Sequence, residues 1–467
     1  MSAADARGGA PGGNILLVST YELGHQPLGL ASPLAFLEQA GYTPEVVDLA
    51  VERLDPATVQ RVGIVAVSVP MHTALRLGVR VAEQIREINP ACHICFYGEY
   101  AQLNAEYLLA TVADSVIGGE YEAALLELVR GIEVGEVRGV AGVSRPGHIV
   151  SPIRQRLQFP VPRRDKLPPL ERYAHLSVDR VEHLVGYVQA SRGCLHKCRH
   201  CPIPPVYGGR FFVVPLDVIL EDVAAHVAAG ARHITFGDPD FLNGPLHSLR
   251  IVEAVHSAFP SLTFDFTAKV EHLLRRRSLL PRFRELGCLF IVSAFESVSD
   301  RVLQILDKGH TRADEDLALV VTRDAGITLR PTWVAFTPWT RLDDYLGMLT
   351  FIEDNDLVDA VDPVQYAIRL LIPPGSTLLR QADVIPFIGH LDRAAFSYHW
   401  QHPDENMDSL QRDVSTMVEL SARCPPEAVF ERVHALAVEA AGSPAPPRII
   451  RPVTRQAAPR LTEPWFC

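Results

Sequence analysis

The fold is decided by one short loop, which reads Arg192-Gly193-Cys194-Leu195-His196-Lys197-Cys198-Arg199-His200-Cys201-Pro202. It follows a predicted strand, 187–190, and spaces its cysteines as Cys-x3-Cys-x2-Cys. Three thiolates on one short loop can hold three irons of a cubane cluster, and the fourth iron is then free to chelate a small molecule. The loop therefore predicts an iron–sulfur site at the end of a strand.

A structural zinc site is the alternative interpretation of this loop, with His196 or His200 as the fourth ligand. Zinc motifs usually bring two separated Cys/His pairs, and no second pair follows here at a suitable distance. The spacing therefore favours an iron–sulfur cluster.

The cysteine loop belongs to a series of alternating strands and helices. The predicted strands are 187–190, 234–236, 263–268, 290–295, 332–336 and 364–371, and the predicted helices are 216–228, 249–259, 279–286, 301–306, 315–324 and 345–353. Strands that each lead into a helix predict a full or partial (β/α) barrel. Active sites in such barrels lie at the carboxyl ends of the strands, which is where the cysteine loop falls.

A second α/β pattern precedes the loop. Its predicted strands are 15–18, 44–49, 62–69, 91–97 and 115–117, and its predicted helices are 34–40, 75–88 and 123–129. This pattern predicts a doubly wound, Rossmann-type parallel sheet. Sheets of this type bind ligands at the carboxyl ends of their strands.

These patterns divide the chain into regions. We expect a Rossmann-type domain over 14–150, a linker rich in Pro and Arg over 151–185, and the domain with the cysteine loop over 186–390. After it we expect a helical region over 391–442, with helices at 410–423 and 427–440, and an extended tail over 443–467. The tail is rich in proline and arginine, a composition that does not build a core.

Composition disfavours several classes of function. The chain has 467 residues and a formal net charge of -11, so no global basic field favours nucleic acid or an anionic membrane. No run of about 18 apolar residues predicts a transmembrane helix, and the first residues lack the pattern of a secretory signal. Eight cysteines in so long a chain do not indicate a secreted disulfide scaffold, so we expect a cytoplasmic protein.

The cysteine loop resembles the cluster loop of the radical S-adenosylmethionine (SAM) superfamily. The resemblance implies a [4Fe-4S] cluster with Cys194, Cys198 and Cys201 as its metal ligands, and SAM bound to the fourth iron through its amino and carboxylate groups. It also implies reductive cleavage of SAM and an electron donor such as flavodoxin or ferredoxin. His200 stands where Phe or Tyr is commoner in the family.

Two further positions resemble cofactor contacts of the same superfamily. Gly237 and Asp238 stand where the family has the second-strand motif that meets the SAM amino group, although many members carry Glu in place of Asp238. A strand-end turn is the alternative, because Gly, Asp and Pro all favour turns.

Three later residues complete the expected cofactor site, namely Lys269, Ser293 and Glu296. Ser293 and Glu296 lie in a strand that resembles the family's strand ending in Glu-Ser, as in methylthiotransferase-like and cobalamin-dependent members. The alternative for Glu296 is negative charge at a helix N-terminus, and the alternative for Lys269 is a solvated strand end.

Residues 14–131 resemble the cobalamin-binding-like domain that precedes many radical SAM barrels. The resemblance rests on Pro27-Leu28-Gly29-Leu30-Ala31 and Gly118-Gly119-Glu120-Tyr121-Glu122. A base-off cobalamin site uses Asp-x-His-x-x-Gly, and His25 does not match that spacing, because Glu22 lies three residues before it and Gly29 four after it. Cobalamin is therefore an additional cofactor that the resemblance suggests, with a vestigial structural domain as the alternative.

Cys92 and Cys95 form a Cys-x2-Cys pair inside a predicted strand. Successive side chains of a strand point to opposite faces, so residues three apart cannot easily share a metal. We interpret both, together with Cys288, as core thiols.

The chain ends in Arg460-Leu461-Thr462-Glu463-Pro464-Trp465-Phe466-Cys467. This ending resembles that of a radical SAM group with a Cys-Cys or selenocysteine-Cys type Ala-Glu-Pro tail, related members of which act on trivalent arsenic. Soft thiolates bind such an acceptor well. The alternative is an aromatic pair that docks a loose tail.

The sequence thus predicts an enzyme, most simply a transferase, that cleaves SAM reductively to modify a small-molecule or natural-product substrate. A cobalamin-dependent methyltransferase is the form that the resemblance suggests. One rival is transfer of the 3-amino-3-carboxypropyl group of SAM to a soft acceptor such as trivalent arsenic. The other rival is a non-catalytic, metal-stabilised binding module. No nucleic-acid or membrane partner is expected.

Overall fold

The structure is a computed structural model that describes residues 15–421, 423–442 and 457–463. It divides into two compact units. Unit 1 comprises the described residues up to Tyr173 together with Arg393–Phe396, and unit 2 comprises Ala174–Asp392 and the described residues from Ser397 onward.

Unit 1 is an α/β sandwich around one sheet. Its elements are β1 (Ile15–Ser19), α1 (Leu28–Gln39), β2 (Glu45–Asp48), α2 (Pro56–Arg61), β3 (Ile64–Ser68), α3 (His72–Ile88), β4 (His93–Tyr97), α4 (Glu99–Leu103), α5 (Ala105–Thr111), β5 (Ser115–Ile117), α6 (Glu122–Val134) and β6 (Val143–Ser144). The strand order is β2-β1-β3-β4-β5-β6, and only β6 runs antiparallel to its neighbour. The predicted doubly wound sheet is therefore confirmed.

Continuous apolar runs explain this sheet. Every residue of β1 and of β3 is buried, as expected for strands covered by helices on both faces. Helix α1 begins at Leu28, earlier than the predicted start at 34, and keeps Pro33 inside it. Burial of α1 outweighs the cost of proline, because nine of its residues are buried.

Unit 2 is built on a curled, open sheet with helices. Its elements are β7 (His175–Val178), β8 (Val181–Val188), β9 (Ser191–Gly193), α7 (Ile203–Tyr207), β10 (Phe211–Val213), α8 (Leu216–Ala228), β11 (His233–Phe236), α9 (Pro245–Ala258), β12 (Thr263–Thr267), α10 (Val270–Arg275), α11 (Leu280–Glu285), β13 (Cys288–Glu296), α12 (Asp300–Leu306), α13 (Arg312–Asp324), β14 (Thr328–Trp333), α14 (Leu342–Asp354), β15 (Ile388–Asp392), β16 (Ser397–Trp400), α15 (Glu405–Leu420), α16 (Pro426–Ala440) and β17 (Arg460–Leu461).

The main sheet of unit 2 has the order β14-β13-β12-β11-β8-β7-β17. Strands β8 and β11 to β14 are parallel, whereas β7 and β17 run antiparallel to their neighbours. The sheet has two edge strands, β14 and β17, and does not close on itself. Of the full and the partial barrel that the sequence predicts, the structure is therefore the partial barrel.

The structure corrects three sequence predictions. The predicted strand 364–371 is reduced to an isolated parallel bridge between Arg369 and Phe336, and its first part is a 3-10 helix, Pro363–Ala367, whose Gln365 side chain accepts from Trp333 N (2.8 Å). The predicted strand 332–336 lies earlier, as β14. The second sheet begins at His175, inside the expected linker 151–185, because β7 and β8 form a hairpin.

The segment Ala457–Glu463 is held along one edge of the unit 2 sheet. Its strand β17 pairs with β7, and Thr462 N donates to His175 O (2.8 Å). Ala458 N donates to the Asp359 carboxylate (2.8 Å), which fixes the approach to β17. The predicted aromatic and thiol ending at 464–467 lies outside the described residues.

Three cysteines away from the loop are core residues, as predicted. Cys92, Cys95 and Cys288 are at most 1% exposed. Among the described residues no helix is both long and apolar enough to cross a membrane.

Candidate functional site

The cysteine loop lies between β9 and α7, after the carboxyl end of β8. Strand β9 pairs with β10 and starts the loop with Gly193 at φ 76°, where an added Cβ would lie 2.5 Å from Arg210 O. Glycine is therefore required for the chain to turn here. The side chain of Asn243 accepts from Leu195 N (3.2 Å), which ties the loop to the region after β11.

The three thiols of the loop act on one another electrostatically. Burial raises the pKa of Cys194 to about 11, and Asp240 and Cys198 add to the shift. Burial likewise raises the pKa of Cys201 to about 12, with further contributions from Cys198 and Cys194. Neighbouring thiols resist losing their protons together unless a cation neutralises the negative charges of the thiolates. None of the three cysteines forms a disulfide. The loop therefore fits a metal cluster.

A buried charged network stands beside these thiols. Glu296 ends β13 at φ 71°, a left-handed conformation that is rare for a residue with a side chain. Its Oε1 lies 3.1 Å from Lys308 Nζ and 3.2 Å from His200 Nε2. Burial alone would raise the pKa of Glu296, but Lys308 and His200 outweigh it and hold the pKa at about 2. Glu296 thus joins the loop to the strand as a carboxylate.

Lys308 brings a positive charge to the cysteines. It is 2% exposed, and its ammonium interacts electrostatically with Cys198 and Cys201 as well as with Glu296. These neighbours raise its pKa although burial opposes them, so it stays charged. The sequence prediction named Glu296 but missed Lys308, which lies just after the end of α12.

Asp238 is buried beside the strand end that leads into the cysteine loop, whereas Gly237 is partly exposed. Asp238 accepts from Ser191 Oγ (2.6 Å) and Ala190 N (2.9 Å). Burial raises the pKa of Asp238 to about 7, while these hydrogen bonds oppose the rise. This geometry braces the chain that leads into the cysteine loop, so a contact between Asp238 and SAM stays a proposal.

Replacing Gly237 with alanine is expected to destabilise unit 2. An added Cβ would overlap the ring of Tyr187 in the neighbouring strand. Overpacking of this kind costs about 1–3 kcal/mol. Thermal unfolding should show a lower Tm for Gly237→Ala, and the added change Tyr187→Leu should remove most of the loss. An equal loss in both backgrounds would contradict the packing explanation.

Ser293 and Lys269 occupy different environments, although both were predicted to contact the cofactor. Ser293 is fully buried, and its Oγ donates to Ala268 O (2.8 Å), which joins β13 to the end of β12. Lys269 reaches the cysteine loop, with Nζ 3.1 Å from His196 Nδ1 and 3.6 Å from Glu271 Oε2. Of these two residues, only Lys269 therefore contacts the cysteine loop through its side chain.

His196, Asp240 and His272 meet beside the loop. Asp240 follows β11, and His272 lies in the first turn of α10. Burial would raise the pKa of Asp240, but hydrogen bonds and charge interactions with His196 and His272 lower it. Sequence reasoning weighed His196 only as a zinc ligand and missed the other two. The sequence did carry a signal for Asp240 and His272, because each follows the carboxyl end of a strand, where barrel active sites lie.

A second buried pair lies further along, at the start of α13. His310 Nε2 is 3.4 Å from Glu315 Oε1, and both side chains are at most 1% exposed. Burial raises the pKa of Glu315 to about 10. Burial and the charges of Lys308 and Lys269 lower the pKa of His310 to about 4. The pair is therefore neutral at neutral pH.

Replacing Glu315 with glutamine is expected to flatten the dependence of stability on pH. The pKa of Glu315 is about 10 in the folded protein and 4.5 for an unperturbed glutamate, so wild-type stability falls as pH rises through this range, by up to about 1.4 kcal/mol per pH unit. Glutamine does not titrate. The Tm difference, variant minus wild type, should grow between about pH 5 and about pH 8. The exposed control Glu419→Gln should show no such growth; the same slope in both variants would contradict the assignment.

Two carboxylates, Glu22 and Asp48, lie at the carboxyl edge of the unit 1 sheet, and Asp48 is buried. Glu22 Oε1 accepts from Gly29 N (3.0 Å), and burial followed by the charge of Asp48 raises the pKa of Glu22 to about 8. Asp48 accepts from Tyr173 Oη (2.9 Å). His25 is 6% exposed. The loop 22–29 is held together by the contact between Glu22 and Gly29 N. Its histidine, His25, does not have the spacing of the Asp-x-His-x-x-Gly motif of base-off cobalamin sites.

The amino-acid sequence is similar to one family model and to several known proteins. Residues 188–335 match the family model described as "Radical SAM superfamily". An uncharacterised methyltransferase of Pyrococcus horikoshii is 23% identical over 74% of this chain and 76% of its own length. The hopanoid C-3 methylase of Methylococcus capsulatus is 25% identical over 68% of this chain and 62% of its own length. The chain thus spans less than two thirds of this second relative.

Two solved structures share the fold. The cobalamin-dependent radical SAM enzyme OxsB, solved with aqua-cobalamin, superposes with a TM-score of 0.68 at 16% identity, over 88% of this chain and 67% of that one. The radical SAM methyltransferase TsrM of Kitasatospora setae, solved with cobalamin and a [4Fe-4S] cluster, gives a TM-score of 0.59 at 18% identity, over 74% of this chain and 73% of that one. At these identities the likeness establishes the fold.

Proposed function

Since this chain is a radical SAM superfamily enzyme of the transferase class, we propose that it transfers a methyl group from SAM to a small-molecule or natural-product substrate. The cluster ligands in this proposal are Cys194, Cys198 and Cys201. The observation that carries it is the meeting of three mutually interacting thiols at the carboxyl end of β8, inside the segment matched by the family model. The methyltransferase names of two relatives support the type of group transferred.

The bound [4Fe-4S] cluster would supply the electron with which SAM is cleaved. The protein's own residues have three tasks. Gly193 and Asn243 set the path of the cysteine loop, Glu296 fixes the loop to β13 through His200, and Lys308 places a positive charge beside the thiols. Lys269, whose ammonium reaches the loop, is our candidate for contact with the SAM carboxylate.

Cobalamin is the proposed second cofactor, with unit 1 as its binding fold. The support is the fold shared with two structures whose descriptions name cobalamin, together with the doubly wound sheet. The described residues of unit 1 do not include a histidine at the base-off spacing, so we assign no cobalt ligand and derive no step through this cofactor. Full-length protein reconstituted with hydroxocobalamin should keep the cofactor through gel filtration if the proposal holds.

Chemical arguments support three further proposals, on the substrate, the electron donor and the location. We propose a small molecule as substrate, because the net charge of -11 gives no basic field for nucleic acid. A flavodoxin or ferredoxin is the proposed electron donor, because the cluster must be reduced one electron at a time. The proposed location is the cytoplasm, where cluster thiols remain reduced.

Aminocarboxypropyl transfer to a soft acceptor is the rival chemistry. Its basis in the sequence, the thiol at Cys467, lies outside the described residues. The other alternative, a non-catalytic module, does not agree with the transferase relatives, which indicate an enzyme.

Product analysis separates these outcomes. Purified, anaerobically reconstituted protein is incubated with dithionite, SAM carrying a labelled methyl group, hydroxocobalamin and extracts of candidate substrates. We expect 5′-deoxyadenosine and S-adenosylhomocysteine, with the methyl label in a product. 5′-Methylthioadenosine as the main product would instead establish aminocarboxypropyl transfer. Intact SAM beside a full complement of iron and sulfide would contradict the proposed function.

A further inference from the structure

Three nitrogen and oxygen atoms of the site converge on one point. His272 Nδ1 is 2.8 Å from Asp240 Oδ2, and His196 Nε2 is 3.5 Å from each of these two atoms. Asp240 is fully buried and His272 is 7% exposed. Each residue comes from a different segment: the cysteine loop, the turn after β11 and the first turn of α10.

These separations are those of ligands around a single ion. Zinc binds imidazole nitrogen and carboxylate oxygen at about 2.0–2.2 Å. Two donors at that distance are about 2.9 Å apart at a right angle and about 3.4 Å apart at the tetrahedral angle, by the geometry of those bond lengths. The three measured separations, between 2.8 and 3.5 Å, cover this range. If the three side chains were only linked one after another by hydrogen bonds, two of the three atom pairs would need to be close, whereas here all three pairs are.

We propose that His196, Asp240 and His272 bind a divalent transition-metal ion, separate from the ions held by the cysteines. Two imidazoles and one carboxylate suit zinc or ferrous iron. With three protein ligands, at least one coordination position remains open for water or a small anionic ligand. The proposal does not depend on which group of SAM the enzyme transfers.

The surroundings orient the ligands as metal sites require. Asp240 Oδ1 accepts from Leu242 N (2.9 Å), which leaves Oδ2 toward the two imidazoles. Glu271 Oε2 lies 3.6 Å from His196 Nδ1, the nitrogen that does not face the other ligands. Metal-binding histidines commonly donate this second N–H to a carboxylate. Glu271 is therefore the expected positioning residue of the site.

Lys269 is the group that opposes a cation here. Its Nζ lies 3.1 Å from His196 Nδ1 and not on the side of Nε2. When Nε2 binds a metal, Nδ1 carries the proton and no longer accepts from an ammonium. Lys269 Nζ is also 3.6 Å from Glu271 Oε2, so it already pairs with that carboxylate and keeps a partner when His196 Nδ1 carries a proton.

The first test counts metals in the full-length, untagged protein. The cluster is reconstituted first, so that the thiolates are occupied, and the protein is dialysed anaerobically against micromolar zinc. We expect one zinc per chain in the wild type. Asp240→Asn and His272→Ala should lose it while keeping wild-type iron and sulfide, and Glu271→Gln should weaken zinc binding about tenfold. The exposed His399→Ala is the matched control and should bind like the wild type.

The second test needs no variant and therefore does not depend on variant folding. Zinc K-edge X-ray absorption of the zinc-loaded wild type should show only nitrogen and oxygen neighbours, at about 2.0–2.2 Å. Sulfur neighbours at about 2.3 Å would place the zinc in the cysteine loop and overturn the proposal. Failure of the cluster-loaded wild type to retain zinc, or equal retention in His272→Ala, would overturn it as well.

Discussion

Replacing Cys198 with alanine is expected to abolish both the iron–sulfur cluster and SAM cleavage. Cys198 is 7% exposed and interacts electrostatically with both other cysteines of the loop. Two thiolates cannot hold three irons of a cubane, so the variant should lose most of its iron and its absorbance near 400 nm. Because the cofactor carries the chemistry, formation of 5′-deoxyadenosine should fall by at least about a hundredfold.

Cys424→Ser is the matched control for this experiment. Cys424 is a free thiol on the segment between α15 and α16 and is not part of the loop. Its replacement should leave iron, sulfide and 5′-deoxyadenosine formation at wild-type levels. If Cys198→Ala kept its iron and its activity, the assignment of the cluster to this loop would be wrong.

Replacing Lys308 with methionine is expected to make the cluster harder to reduce. The buried ammonium beside Cys198 and Cys201 favours the reduced cluster, which carries one more negative charge. We expect the variant to shift the reduction equilibrium at least about tenfold, which is 59 mV for one electron, toward the oxidised form. The potential can be measured by an anaerobic redox titration followed by electron paramagnetic resonance.

Two variants separate charge from structure at this position. Lys308→Arg keeps the positive charge and should restore most of the potential. Lys197→Met removes a lysine from the cysteine loop itself, but Lys197 is exposed and water screens its charge, so its effect should be small. If Lys308→Arg and Lys308→Met shifted the potential equally, the role of Lys308 would be packing and not charge.

The cysteine loop could be predicted from sequence because its chemistry depends on local spacing. Cys194, Cys198 and Cys201 lie so close along the chain that no tertiary information is needed to bring them together. The parallel strands were also recognisable, since their apolar runs are continuous. Strand 364–371 was predicted too long, because the Gln365 side chain replaces backbone pairing in its first part and only Arg369 forms a bridge, with Phe336.

Contacts between distant segments could not be predicted in the same way. The meeting of His196, Asp240 and His272 depends on how β11 and α10 approach the loop. Lys308 reaches Glu296 only because α12 returns the chain to the end of β13. Conversely, Asp238 matched a family position, but its carboxylate bonds the backbone and side chain of the preceding strand end.

The strand β17 has a practical consequence for protein engineering. It occupies the outer edge of the unit 2 sheet, and Leu461 pairs with Leu176 of β7. Shortening the chain after residue 442 would leave the backbone donors and acceptors of β7 open to other molecules. An uncovered edge strand is a template for aggregation. Shortened versions for crystallisation or expression should therefore keep the chain through Glu463, and fusion partners should be attached beyond it.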